Sequence, residues 1–148
     1  MIIDSIYALL ATLSFGILFN IRGKNLFFAA LGGGIGWFFL LLFQQKLQLS
    51  STFSLFLASI IIGIYSEIMA RILKSPVTTF AICAIIPMVP GNGMYYTMYE
   101  SVNGNAAKSI AVGIQTFASA GAIAAGIVLV SSWTKLINIK TYNKNKNF

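Results

Sequence analysis

The sequence predicts an all-α, polytopic integral membrane protein with about five transmembrane helices, one of them broken at Pro87–Gly93. Three observations carry that reading. Hydrophobic residues make up 57% of the 148 residues and charged ones only 9%, against roughly 25% charged in soluble domains; the mean hydropathy is +0.83. Apolar stretches of near-spanning length alternate with short polar connections. One stretch, Ser75 to Asn105, is apolar enough for a bilayer yet carries Pro87, Pro90, Gly91 and Gly93 in its middle. The length accommodates several spans of about 20 residues but no sizeable soluble domain beside them. We therefore read one membrane domain over 1–135 and a basic tail over 136–148.

Composition also narrows the chemistry. The net charge of +7 does not point to nucleic acid, because the Lys and Arg residues fall at segment ends and in the tail rather than on a patch with interleaved aromatics. Cys83 is the single cysteine and the chain has no histidine. A disulfide framework and a His/Cys metal site are thereby excluded, and no cofactor is expected.

The first span is placed near 3–19. No basic region precedes Ile6, as a cleaved signal peptide would require, so it is read as retained. Asn20, Arg22, Lys24 and Asn25 mark its end. The second span, near 26–43, holds Gly32-Gly33-Gly34 and Gly36; Gly32 and Gly36 are four apart, the spacing that lets two helix backbones approach closely in lipid. A phosphate loop is not supported, since no Gly-Lys-Ser/Thr follows the glycines. The third span, near 52–70, includes Glu67 one turn before Arg71. Such a carboxylate is a candidate for coupling or gating, but the i, i+4 spacing beside Lys74 better describes an interfacial ion pair.

The fourth span, near 77–93, is short: Val77 to Pro90 amounts to about 14 residues, or about 21 Å if helical. It either crosses with help from residues beyond the break or is re-entrant. The region Gly91–Asn105 that follows combines Tyr95, Tyr96 and Tyr99 with Glu100 and three asparagines, which suits an interfacial aromatic belt and a polar vestibule alike. Glu100 joins Glu67 as a coupling or gating candidate. The fifth span, near 109–130, places Ala118, Ala122 and Gly126 on one stripe, a helix-packing signature, and carries Gln115 and Thr116 as polar side chains inside it, with substrate contact as the lesser alternative. From Trp133 onward the Lys/Asn-rich tail has no apolar period and reads as exposed and partly disordered.

The break is the first place to look for a substrate. Proline removes a backbone donor and clashes with the carbonyl four residues back, and glycine loosens the helix further. Polar groups freed at membrane depth are tolerated only inside protein or along a wet cavity. Pro87, Pro90, Gly91, Asn92, Gly93 and Tyr95 are the candidate substrate-binding residues, with backbone groups of the half-helix end doing most of the binding.

Flanking charges set the expected orientation. With five crossings, Arg22, Lys24, Arg71, Lys74 and Lys135, Lys140, Lys144 and Lys146 share one side, and only Lys46 and Lys108 lie on the other. The positive-inside rule then puts the N-terminus outside and the tail in the cytoplasm.

Pro76-Val77-Thr78-Thr79 followed by Ile86-Pro87-Met88-Val89-Pro90-Gly91-Asn92-Gly93-Met94-Tyr95, with a glycine-rich span before and a small-residue span after, resembles the threonine/serine exporter (ThrE-like) family in its small-subunit form. The resemblance covers essentially residues 1–135, and its most specific part is 87–95. It implies a subunit, working with a separate larger membrane subunit, that exports threonine, serine or a dicarboxylate such as succinate.

The residues themselves carry no Walker motif, no nucleophile with a base and no paired carboxylates, so neither an enzyme nor direct use of ATP is expected. The expected function is a cell-membrane subunit of a secondary exporter of small hydrophilic metabolites. Gly32/Gly36 and Ala118/Ala122/Gly126 are the candidate faces for the larger subunit or for a homo-oligomer. The alternative is a non-transporting membrane scaffold or assembly subunit, in which the break is only a kink.

Overall fold

The structure, a computed structural model, describes residues 1–146, with side chains described through Leu136. Six α-helices follow one another: α1 (Ile2–Leu18), α2 (Lys24–Gln45), α3 (Ser51–Ile72), α4 (Val77–Ile85), α5 (Gly91–Val102) and α6 (Ala106–Lys146), with a 3₁₀ turn at Ile86–Met88 between α4 and α5. Among the described residues there is no strand. By length and composition α2, α3 and the stretch Ala106–Leu136 of α6 can each cross a membrane, and α4 with α5 makes a fourth if the bent pair is one span. At 17 residues, α1 is apolar but shorter.

The glycines of α2 explain the centre of the bundle. A Cβ on Gly33 would overlap Thr12 of α1, and one on Gly34 would stand 3.2 Å from the Leu9 Cβ. On the opposite side, a Cβ on Gly36 would overlap Ile62 of α3, and one on Gly32 would stand 2.9 Å from the Tyr65 ring and 3.4 Å from Ala84 of α4. Only hydrogen in place of a side chain lets three helices approach α2 this closely. Gly32 and Gly36, expected as a face for another subunit, are thus buried inside the chain itself.

Around this axis, Leu40, Leu55, Ala58, Ile62, Ala84, Met88 and Ile123 form one apolar core, and Ala29, Ala70, Phe80 and Cys83 a second. The Tyr65 hydroxyl donates to the Phe28 carbonyl at 2.8 Å, tying α3 to α2. Asn25 Nδ2 donates to Ser75 Oγ at 2.8 Å, so the first turn of α2 and the α3–α4 connection meet at one end of the bundle. Helices α1, α2 and α3 give way to connections in which Asn20, Gln48 and Lys74 take φ of 59°, 50° and 49°, the left-handed conformation that commonly stops a helix.

Helix α6 departs from the expected boundary. It continues past Val130 to Lys146, because no Pro or Gly follows Gly126 to stop it. The part of the tail expected to be disordered from Trp133 is helical as far as Lys146, and the last two residues lie outside those described.

Candidate functional site

The helix ends where the two prolines require it to. Pro87 enters the 3₁₀ turn, Val89 before Pro90 swings to φ −56°, ψ 131°, and Pro90 at −75°, 57° caps α5. That geometry follows from the clash that pushes a pre-proline residue out of the α region. The α4 and α5 sides of the break meet at 50°.

The freed backbone groups divide unequally. Gly91 N donates to the Val89 carbonyl at 2.7 Å, and Met94 N begins the regular ladder with a bond to the Pro90 carbonyl at 3.1 Å. The amides of Asn92 and Gly93 lie between, in the first turn of α5, where a helix has no intrahelical acceptor to offer.

Those two residues border a cavity of about 500 Å³ lined by Ser51, Pro90, Asn92, Gly93, Tyr96, Glu100, Lys108, Val112, Gln115, Thr116 and Ser119. It lies between α5, α6 and the first residue of α3, and most of its lining side chains are polar. The two helices are held in tight register: a Cβ on Gly93 would overlap Thr116 Oγ1, and Ser109 Oγ donates to the Thr97 carbonyl at 2.8 Å. Ser119 and Thr116 satisfy their hydroxyl protons on carbonyls one turn back, so each presents oxygen lone pairs rather than a proton.

The only charged groups on the lining are Glu100 and Lys108. Lys108 Nζ lies 2.6 Å from Glu100 Oε1, and Asn105 Nδ2 donates to Glu100 Oε2 at 2.9 Å. Glu100 is 5% exposed, whereas the Lys108 side chain is 67% exposed. Each charge stands at the helix end that disfavours it, since Glu100 is in the last turn of α5 and Lys108 in the first turn of α6. A pair placed only to secure the helix ends would carry the opposite signs.

Of the residues expected at a substrate site, Pro90, Asn92 and Gly93 come together on this cavity, joined by Glu100. Pro87, Gly91 and Tyr95 do not line it; the Tyr95 ring is exposed and stacks on Tyr99 with centroids 6.0 Å apart. Tyr96 occupies the position expected of Tyr95. Helical geometry decides this, because adjacent residues on α5 point about 100° apart. Lys108 and Ser119 were not expected on the site, whereas Gln115 and Thr116 read as polar side chains of a span expected to serve mainly helix packing. Gln115 and Thr116, polar inside an apolar span, were the available signal.

Glu67 lies elsewhere, with Arg71 on a groove between α3 and α6. The expected small-residue stripe is divided: Gly126 is buried against Ser59 and the Phe56 carbonyl of α3, Ala122 is half-buried and Ala118 exposed.

A bundle of long apolar helices with a polar cavity beside a helix break defines a multi-pass membrane protein. The family model described as threonine/serine exporter, ThrE, matches residues 4–133, and the chain belongs to that family of membrane exporters. No solved structure matches it.

Proposed function

We propose that the chain is a membrane subunit of a secondary exporter that moves threonine or serine through the α5–α6 cavity, beside a larger membrane subunit of the same family. The observation that carries this is the Glu100–Lys108 pair on an otherwise uncharged polar lining. An amino-acid zwitterion presents one ammonium and one carboxylate, which match one carboxylate and one ammonium. A dicarboxylate such as succinate presents two negative groups and would meet the Glu100 charge. The amides of Asn92 and Gly93 add donors of the kind that half-helix ends offer to anionic groups.

Five crossings fit this function best. Helix α1, about 25 Å long, needs only slight bilayer thinning to cross a core of about 30 Å, and α4 with α5 serves as one bent span. The N-terminus is then outside and the C-terminus cytoplasmic, with the Lys46 and Lys108 ends facing out. Glu100 and Lys108 sit at the outer mouth as gating groups, and Glu67 near the inner surface.

The larger subunit would cover α5. Its Met94, Tyr95, Met98, Tyr99 and Val102 are exposed, and the exposed Ala118 lies on the helix it packs against. Gly32 and Gly36, already filled by Tyr65 and Ile62, are not available for that contact.

The test is efflux of threonine and serine from cells carrying Glu100→Gln or Lys108→Met, at matched amounts of assembled complex. Loss of export with assembly intact supports the exporter reading. Unchanged export, or loss of assembly alone, favours the scaffold.

A further inference from the structure

The groove that holds Glu67 and Arg71 has a shape of its own. Helices α3 and α6 touch along a seam in which a Cβ on Gly63 would stand 3.0 Å from the Val130 Cβ and one on Gly126 would stand 2.9 Å from the Phe56 carbonyl. Beside that seam a depression of about 560 Å³ is lined by Ile60, Ile64, Glu67, Ile68 and Arg71 from α3 and by Leu129, Val130, Trp133 and Thr134 from α6. The α3 residues recur every three to four positions, as one stripe of a helix must.

The polarity of the groove is graded along its length. From Ile60 to Arg71 the helix rises about 16 Å, close to half of a hydrocarbon core of about 30 Å. The wall is aliphatic through Ile60, Ile64 and Leu129, then turns to Glu67, Arg71, Trp133 and Thr134 at one end. Ile64, Ile68, Leu129 and Trp133 are all exposed. Tryptophan belongs at the depth of lipid headgroups, where its apolar ring and polar N–H are both accommodated. Lys74 lies three residues beyond Arg71, in the connection after α3, and Lys135 follows Thr134 directly, so the chain flanking the polar end of the groove carries more positive than negative charge even with Glu67 counted.

We propose that this groove binds an anionic phospholipid of the leaflet at its Arg71 end, with one acyl chain along Ile60, Ile64 and Leu129 and the phosphate beside Arg71. The length of one leaflet, the apolar-to-charged gradient and the sign of the charge each match that occupant. Basic pockets between helices on the positively flanked side are where acidic headgroups are recognised. The zwitterionic lipid of the same chain length fills the same apolar length but gains less from the basic end.

Trp133 reports directly on this site. Trp37→Phe in the full-length chain leaves Trp133 as the only tryptophan of the two, and its fluorescence is measured in vesicles containing phosphatidylglycerol or phosphatidylcholine brominated on the acyl chains. Brominated phosphatidylglycerol should quench more strongly at equal mole fraction, with a preference of about fivefold for one favourable basic contact. Arg71→Gln should bring the two lipids to near equality, and Glu67→Gln should increase the preference. Equal quenching by both lipids before any change at Arg71 overturns the proposal and needs no further variant. So does an absence of quenching by either lipid, which would mean that protein covers the groove.

Discussion

Lys108 Nζ stands 2.6 Å from Glu100 Oε1, across the turn that joins α5 to α6. Gly104 makes that turn possible with φ +78°, in a region that side chains other than Asn and Asp rarely enter. Each charge repeats the sign of the partial charge at its own helix end, so neither would be kept there by the helix alone. What the pair does provide is a carboxylate and an ammonium at the edge of a polar cavity.

Exchanging the two charges is therefore informative. Glu100→Lys alone and Lys108→Glu alone should each reduce threonine efflux at least tenfold. The double exchange should recover part of it, because a zwitterion can turn around in the cavity. Efflux is measured in cells with matched amounts of inserted protein. No recovery in the double variant would show that the positions of the two charges, and not just their presence, are required.

Continuing the helix through the break should separate fold from function. Pro90→Ala with Gly91→Ala favours helix by roughly 3 kcal/mol for the proline and about 1 kcal/mol for the glycine. The protein should insert and resist heat at least as well, while export falls. Asn92→Ala, which removes an amide side chain but leaves the break, should cost less. Full export by the double-alanine protein would mean that the bend serves packing only.

The glycine axis of α2 governs stability. Gly36→Leu must displace Ile62 and Gly33→Leu must displace Thr12, and overpacking of this kind typically costs 1–3 kcal/mol or more. Thermal unfolding in detergent should show both variants melting well below the parent protein. Ala118→Leu, on an exposed position, should leave the melting temperature in place and weaken association with the proposed larger subunit.

Topology is open to direct labelling. In a Cys83→Ala background, cysteines at Gln48 and Asn103 should react with a membrane-impermeant maleimide on whole cells. A cysteine at Ser75 should react only after the cells are opened. Labelling at position 48 without labelling at position 103 would mean that α4 and α5 dip into the membrane and return on the same side.

The sequence by itself determined the class of this protein and the location of its break. Composition and hydropathy are summed over whole segments, so no tertiary contact can reverse them, and two prolines three residues apart each remove a backbone donor from a helix wherever they stand. Only the tertiary structure decided what each small or polar residue faces. Gly32 and Gly36 share the spacing of a subunit interface, but whether a glycine stripe meets its own chain or another depends on where Tyr65 and Ile62 arrive from α3. Tyr95 and Tyr96 differ in sequence by one position and in direction by about 100°, which puts Tyr96 on the cavity and Tyr95 outside it. Glu100 and Lys108 are eight residues apart, too far for a pair within one helix. The turn at Asn103–Asn105 folds α5 back onto α6 and brings the two charges together, a contact that exists only once the hairpin is closed.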